Sequence, residues 1–371
     1  MKFCHFSDSH LGAGKNHPKK GKSGLTLRQE DIINSFIDTI DKIIELKPDF
    51  CIYAGDLFDN VRPFNKIIAI AGEQFHRLAE QNKIPTVLIA GNHDAPKQPH
   101  IGAAVEIFKQ IENLHVAGDS KLKKVIIKDT CIFALPHCLS HDFLKIEMDK
   151  LVPDENYKYN ILVMHGVASG MPEFSMADLG EQEIPLNLMD KFDYTALGHF
   201  HNYCKVSSTA WYAGSTERLS QAERESEKGF LEVNLEPFQV QFHKIKTREM
   251  VDIKVIDANG KRGDELAIHI KSEVEKAGNT NKIIRLKIAN ITAETIKTMP
   301  TNVINELRHK SFALDLKFER KKDDNTPESF GRSSIGQIDK GFLEFLDTIG
   351  LDGFDRDALK KEAIKYLGGE E

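Results

Sequence analysis

The chain has 371 residues, 40% of them apolar and 29% charged, with a formal net charge of −6. That is too long for one ordinary core and points to two or three domains of a folded protein rather than a disordered one. The acidic balance excludes a global basic footprint, so any nucleic acid would have to be held by local patches of Lys and Arg.

In chain order, residues 2–7 are predicted to form a short apolar strand. Across residues 32–46, Ile33, Phe36, Ile37, Ile40, Ile43 and Ile44 recur at a helical period. The runs DFCIYAG and PTVLIAG are further strands, with a helix over 67–81 between them and another over 103–111 after them. Strands and helices alternating at these lengths predict βαβ units feeding a buried parallel sheet. From Val125 the texture turns to strands: KKVIIKD, TCIFALP, NILVMHG, YTALGHF, AWYAGS, GFLEVNL and FQVQFHKIK. The expected fold is α/β, with a two-layered β-sandwich core flanked by helices over residues 1–246. Residues 249–322 then give strand, helix, strand, helix (293–298 or 301–310) and strand, a separate small α+β unit. The charge, Pro, Gly and Ser of residues 323–334 suit a linker, and residues 335–371 return to helix. There Phe342, Phe345, Leu346 and Ile349 make an apolar stripe at i, i+3, i+4 and i+7. So short a segment cannot bury that stripe unaided; it packs back on the chain or docks on a partner as a helix in a groove.

No apolar run approaches the roughly 20 residues of a bilayer-spanning helix. The opening MKFCHFSDSH enters strand-like sequence without a secretory pattern. Cys4, Cys51, Cys131, Cys138 and Cys204 are odd in number and form no C-x-x-C pair. Cys4, Cys51 and Cys131 lie inside strand-like runs, as small buried thiols do. A reducing, cytoplasmic setting with no membrane is expected.

Five of the strand-like segments end in metal-type ligands. They are FSDSH (Asp8, His10), YAGDLFD (Asp56, Asp59), IAGNHD (Asn92, His93, Asp94), LVMHG (His165) and ALGHFH (His199, His201). Loops beyond the strand ends of an α/β sheet gather at one edge, where sites form. Taken singly, DSH, GD after a strand, or one histidine after LVM is ordinary. GNHD is more specific, because three polar groups in a row have no packing purpose, and GHFH offers two imidazoles on one side of an extended segment. Carboxylates with imidazoles suit Mn, Fe or Zn better than Ca or Mg, and the absence of thiolates argues against a structural zinc. A carboxylate between two divalent ions can bridge them, and such a pair clamps the attacking and leaving oxygens of an in-line displacement at phosphorus.

In order and content these five segments resemble the calcineurin-like metallophosphoesterases. GDLFDNVRP, GNHD, GHFH and the later YAGSTERLS resemble a narrower branch. This is the family of double-strand-break repair nucleases known as SbcD in bacteria and as the meiotic-recombination-eleven protein in archaea and eukaryotes. The resemblance is strong to about residue 245 and architectural beyond. It implies two metal ions per chain, Mn2+ first, with Fe, Zn or Mg as alternatives. Asp8, His10 and His201 would hold the first ion and Asn92, His165 and His199 the second, with Asp56 bridging. His93 would donate a proton to the departing 3′ oxygen, work suited to an imidazole. Many archaeal and eukaryotic relatives carry histidine at the position of Asp59; the aspartate here resembles the bacterial form and is expected to orient His93 and favour its charged form.

Fold alone does not choose among the phosphate esters this superfamily cleaves. Protein phosphatases continue the GD box with Arg-Gly and carry Glu after GNH, where this chain has Asn60-Val61 and Asp94. The loop GAGKNHPKKGKSGLTLR places Lys15, Lys19, Lys20, Lys22 and Arg28 beside the first ligands without one acid, a pattern that could track phosphates or simply be solvated. Arg62 and Arg218 fall in family-like segments. By resemblance, 249–322 is a capping domain that positions DNA. The C-terminal stripe would bind the coiled-coil base of an SbcC-type ATPase, and homodimers are common. The expected function is a DNA exonuclease and endonuclease; a small-nucleotide phosphodiesterase and a mainly DNA-end-tethering subunit are the alternatives.

Overall fold

Phe3 faces one side of strand β1 (Lys2–Phe6) while Cys4 and Phe6 face the other, yet all three are fully buried. A strand apolar on both faces must be covered on both. In the computed structural model of the chain it is covered by a second sheet on one face and helices on the other. The structure describes residues 1–320 apart from 97, 99, 171–180 and 279, together with 355, 356 and 358–360.

After β1 come α1 (Leu27–Leu46), β2 (Phe50–Tyr53), α2 (Asn65–Phe75), β3 (Thr86–Ile89), β4 (Leu114–Ala117), β5 (Lys123–Ile127) and β6 (Thr130–Ala134). Then follow α3 (His141–Met148), β7 (Tyr159–His165), β8 (Val167–Ala168), β9 (Glu183–Ile184), α4 (Leu186–Met189) and β10 (Tyr194–Gly198). The layer closes with β11 (Cys204–Lys205), β12 (Ala210–Tyr212), β13 (Lys228–Leu235) and β14 (Phe238–Ile245). One six-stranded sheet has the order β14-β13-β1-β2-β3-β4 and the other β11-β12-β10-β7-β6-β5. Their centres are parallel: β1 to β4 in the first, and β6, β7, β10 and β12 in the second.

Phe3, Ile52, Val87, Ile161, Tyr194 and Leu231 pack between the sheets. The Phe3 ring stacks on Phe50 at 4.7 Å and meets Tyr194 edge-on at 5.2 Å. Each fully buried side chain of this kind contributes about 1.5–3 kcal/mol. The outer face of the first sheet takes Phe36 and Ile40 of α1 and Phe75 of α2; that of the second takes Leu144 and Met189. This is the layered α/β fold expected.

Three local details differ from the sequence expectation. Helix α1 begins at Leu27, not residue 32, because Thr26 and Gln29 form a capping box: Gln29 N donates to Thr26 Oγ1 (3.1 Å) and Thr26 N to Gln29 Oε1 (3.0 Å). The helix after β2 is α-helical to Phe75 and continues as a π-helical stretch, His76–Gln81, that buries Leu78 and Ala79. Residues 103–111 form a 3₁₀ helix, Ala104–Gln110, rather than an α-helix. Its buried residues Val105 and Phe108 are three apart, the spacing that a 3₁₀ helix aligns on one edge.

Beyond Lys246 the chain forms β15 (Met250–Asp257), α5 (Gly263–Lys276), β16 (Ile283–Ile291), α6 (Ala293–Thr298), α7 (Thr301–Lys310) and β17 (Ala313–Arg320). Both helices that the sequence offered as alternatives are present. The three strands pair parallel around a core of their own that includes Leu266, Ile270, Ile284, Leu286 and Leu307. Arg248 joins this unit to the first. It donates to both oxygens of Asp31 on α1 (2.5 and 2.6 Å) and to Asn281 O (2.8 Å), and lies 3.6 Å over the Phe312 ring. Residues 323–334, Phe342, Phe345, Leu346 and Ile349 lie outside the described residues.

Candidate metal centre

The parallel centres of both sheets deliver their C-terminal ends to one place. Ser7 bridges to Ser215, Leu11 to Phe58, and Gly166 N donates to Gly198 O (3.2 Å), so the loops after β1, β2, β7 and β10 are tied together. All seven ligand candidates meet there. Asp8, His10, Asp56 and His165 are buried, and Asn92, His199 and His201 line the rim.

Ligand atoms of Asp8, His10 and His201 lie within 4.8 Å of one another, and so do those of Asp8, Asp56 and His165. Between the two imidazoles of the first set, His10 Nε2 and His201 Nε2 are 3.1 Å apart. Asp56 Oδ2 stands 3.5 Å from His10 Nε2 and 3.3 Å from His165 Nε2, between the two sets. Asn92 Oδ1 is 2.8 Å from His165 Nε2 and 3.3 Å from His199 Nδ1. His93, Asp56 and His10 form a third close group.

The backbone here is bent to present side chains. Asp8 (φ 54°), His10 (φ 43°), Asp56 (φ 55°) and His199 (φ 108°) all lie at positive φ, which costs a residue with a Cβ of order 1 kcal/mol or more. Close approach also demands glycine. A Cβ on Gly91 would lie 2.2 Å from Asp56 Oδ1 and 2.4 Å from Asp56 N.

The donor set fits cations. His165 Nδ1 donates to Ala54 O (2.8 Å), so a neutral ring turns the Nε2 lone pair toward Asn92 Oδ1 and Asp56 Oδ2, both acceptors. Three acceptors converge only around positive charge. Where no cation is bound, a proton on Nε2 would satisfy them. Burial works against it, but Asp56 and Asp8 outweigh burial and push the His165 pKa up to about 9. Burial holds His10 and His199 down at about 3, as neutral donors. Burial also opposes ionisation of Asp56, yet His165 and His10 more than offset it and keep the carboxyl well below the usual range. Burial raises Asp8, which His199 N contacts at 3.0 and 3.2 Å and Ser7 Oγ also engages. Oxygen and imidazole ligands without thiolate, grouped about a shared carboxylate, suit a pair of divalent transition ions.

His93 is exposed at the mouth, edge-on to His10 with ring centroids 4.7 Å apart. Its Nδ1 donates to Asp59, but to the main-chain oxygen (2.9 Å) rather than the carboxylate expected from the sequence. Burial raises the Asp59 carboxyl, and nearby His93 and Lys15 offset part of that rise.

The seven basic residues singled out for phosphate contact divide. Lys15, Lys20, Lys22 and Arg62 are exposed. Arg28 is not available on the loop surface. It is 7% exposed and bound inside the protein by Asp31 (3.3 Å), Glu217 (3.4 Å) and Arg218 O. Lys19 reaches His309 O (3.0 Å) and Ser311 O at the end of α7, where a cation meets the negative pole of the helix. Arg218 donates to Thr247 Oγ1 (2.6 Å) and Arg248 O (3.0 Å). Lys19 thus ties the first unit to the second, Arg218 holds Thr247 and Arg248 at the junction, and Arg28 is bound within the first unit; composition does not distinguish a solvated cation from one with a buried acceptor. Between the units lies a cavity of about 430 Å³, lined by Lys15, His17, Asp59, Leu219, Met250 and Ile283 among others.

Four further groups support the centre: Asp94, which the sequence offers as a strand-end ligand type, and His137, Glu223 and Lys228, which it does not single out. Asp94 is wholly buried and accepts from Leu57 N (2.9 Å), Phe58 N (2.8 Å) and Gly91 N (3.2 Å), clamping the loops of Asp56 and Asn92 together. Burial and the Asp56 charge push its carboxyl up to about 7. His137 leaves the apolar run TCIFALP, the same signal as the five recognised strand ends. Its N donates to Ala90 O (2.9 Å), which brings it beside the loop of Asn92, and its Nδ1 is buried without a partner. Burial lowers its pKa to about 4, with His165 adding to the effect. Glu223 and Lys228, both buried, stand behind His201.

Residues 1–216 match the profile of the calcineurin-like phosphoesterase family. Among curated proteins, the DNA double-strand break repair protein Mre11 of Methanococcus maripaludis is 33% identical over 244 residues, 62% of this chain and 62% of its own length. That of Methanocaldococcus jannaschii is 30% identical over 274 residues, 69% and 70% of the two chains. That of Archaeoglobus fulgidus is 24% identical across 93% of this chain and 79% of its own. The match therefore spans less than two thirds of the first of these relatives. Among the described residues no helix is long and apolar enough to cross a membrane. The chain belongs to the calcineurin-like phosphoesterase family, in the branch of the Mre11 double-strand-break repair proteins.

Proposed function

We propose that the chain is a two-metal DNA nuclease of double-strand break repair, an exonuclease on duplex ends and an endonuclease on single strands, at work in the cytoplasm. The observation that carries this reading is the convergence of seven ligand-type side chains from five strand ends about Asp56. In this reading Asp8, His10 and His201 hold one ion, Asn92, His165 and His199 the other, and Asp56 both. Two Mn2+ ions, when bound, supply Lewis acidity and lower the pKa of water.

The chain's own groups do the rest. Asp94 fixes the loops that carry Asp56 and Asn92. His165, with Nδ1 committed to Ala54 O, offers only Nε2 to the centre. His93 keeps its Nδ1 proton on Asp59 O, so the protonated ring presents Nε2–H outward. That proton goes to the departing 3′ oxygen, which as an alkoxide would be a poor leaving group. The exposed Lys15, Lys20, Lys22 and Arg62 would contact backbone phosphates. Residues 1–246 would be the nuclease domain, 249–322 the capping domain and 323–334 a linker. Residues 335–371 would be the segment through which Phe342, Phe345, Leu346 and Ile349 bind an SbcC-type coiled-coil ATPase, the whole forming a homodimer.

Mn2+-reconstituted protein is tested on end-labelled duplex and hairpin DNA, with and without the ATPase, beside bis-p-nitrophenyl phosphate and cyclic nucleotides. Nucleotide release from DNA ends is the expected result. Hydrolysis confined to the small esters would favour a small-nucleotide phosphodiesterase. A His93→Leu chain that supports repair and bridges DNA ends without cutting them would favour a tether.

A further inference from the structure

Three histidines at the centre are held by their outward-facing nitrogen, and one of the three holders differs in kind. His165 and His93 donate to main-chain oxygens, of Ala54 and Asp59. His201 instead places Nδ1 3.2 Å from the Oε1 carboxylate oxygen of Glu223. His201 also has less of the fold around it. It lies in the loop after β10, with its side chain 29% exposed, while that of His165 is completely buried.

Glu223 is itself fixed. Its Oε1 accepts from Ser220 N (3.1 Å) and Ser220 Oγ (3.0 Å), and its Oε2 from Leu219 N (3.3 Å) and Lys228 Nζ (2.6 Å). Lys228 is 1% exposed and spends its three ammonium protons locally: on Glu223 Oε2, on His201 O (2.7 Å) and on Ser215 Oγ (2.9 Å). One cation thus grips the backbone of His201 and the carboxylate that grips its ring. A buried ion pair adds little net stability over an apolar pair of the same shape, because desolvation offsets the attraction. Its use here is positional.

We infer that Glu223, locked by Lys228, is a positioning residue for His201 that sets the affinity of one of the two ion sites. The inference rests on the two-ion reading above. With Nδ1–H held by a carboxylate, His201 Nε2 is kept as the lone-pair nitrogen, faces His10 Nε2, and becomes a stronger donor. Loss of such a carboxylate typically weakens metal binding about ten- to a hundredfold.

The test is Mn2+ titration of the 371-residue chain by calorimetry, with free Mn2+ followed by electron paramagnetic resonance, for wild type and Glu223→Gln. Wild type should take up two ions. Glu223→Gln keeps the shape but removes the charge; it should bind one ion as before and the other about tenfold or more weakly. Excess Mn2+ should restore its kcat, which a merely structural defect would not allow. If Glu223→Gln lacks a cooperative melt, Ser220→Ala is read in its place. That variant removes one donor to Glu223 Oε1 without uncovering Lys228, and should weaken the same ion about threefold, in line with the loss of one hydrogen bond. A folded variant with both affinities unchanged, or both lowered alike, would overturn the role of Glu223. Wild type that binds no Mn2+ would overturn the two-ion reading with it.

Discussion

Adding metal to the metal-free protein should expel a proton from His165. The ring donates from Nδ1 to Ala54 O and directs Nε2 at Asn92 Oδ1 and Asp56 Oδ2, so a proton occupies the place a cation would take. With the pKa near 9, roughly thirty rings are protonated for each neutral one at pH 7.5. Binding at Nε2 needs the lone pair, so about one proton leaves per centre filled, and more if Asp8 is also stripped. Mn2+ titration in buffers of low and high ionisation enthalpy measures this directly. Apparent affinity should rise about tenfold per pH unit up to pH ~9 and then level. The same group links pH to folding. Its pKa is raised from 6.5 to about 9, so its contribution to the metal-free fold is complete below pH 6.5 and disappears as pH rises through 9. At about 1.4 kcal/mol per pH unit, that contribution is on the order of 3 kcal/mol. Identical apparent enthalpies in the two buffers at pH 7.5 would refute the acceptor-against-acceptor account of this site.

Four other outcomes are expected at named residues. Because His93 is held through the Asp59 main chain, Asp59→Asn should slow DNA cleavage less than about threefold, while His93→Leu should cost at least about a hundredfold; comparable losses of kcat in both variants would return the orienting role to the carboxylate. Gly91→Ala drives a Cβ to 2.2 Å from Asp56 Oδ1, so calorimetry should find no tight Mn2+ binding in a chain whose circular dichroism still shows the fold. Lys20→Ala and Lys22→Ala should each reduce the slope of log affinity for DNA against log salt by about one, with stability unchanged. Arg28→Ala should instead lower stability by about 3–5 kcal/mol in denaturant melts, because it strands the buried Glu217.

The parts legible in the sequence share one property: their signal is local. An apolar run that ends in Asp, Asn or His announces both a strand and what it presents, which is why Asp8, Asp56, Asn92, His165 and His201 could be picked out together. The illegible parts depend on partners far along the chain. Arg28 and Lys19 looked like loop cations because Glu217 and the end of α7 are about 190 and 290 positions away. Glu223 and Lys228 sit in QAERESEKG, a charge run that resembles a solvated face until folding encloses it. The start of α1 is faint in the sequence for another reason: after Leu27 its first turn is polar, and only the Thr26–Gln29 pair marks it. His137 carries the same strand-end signal as the others, at the end of TCIFALP.

The left-handed backbone at Asp8, His10, Asp56 and His199 has an evolutionary corollary. Glycine or asparagine would rest more easily at each place, by about 1 kcal/mol. A lineage freed from catalysis would therefore become sturdier by discarding these aspartates and histidines, and mutation would tend to erase them. Their gathering at one place, against the preference of the chain that bears them, is the kind of strain that functional sites carry.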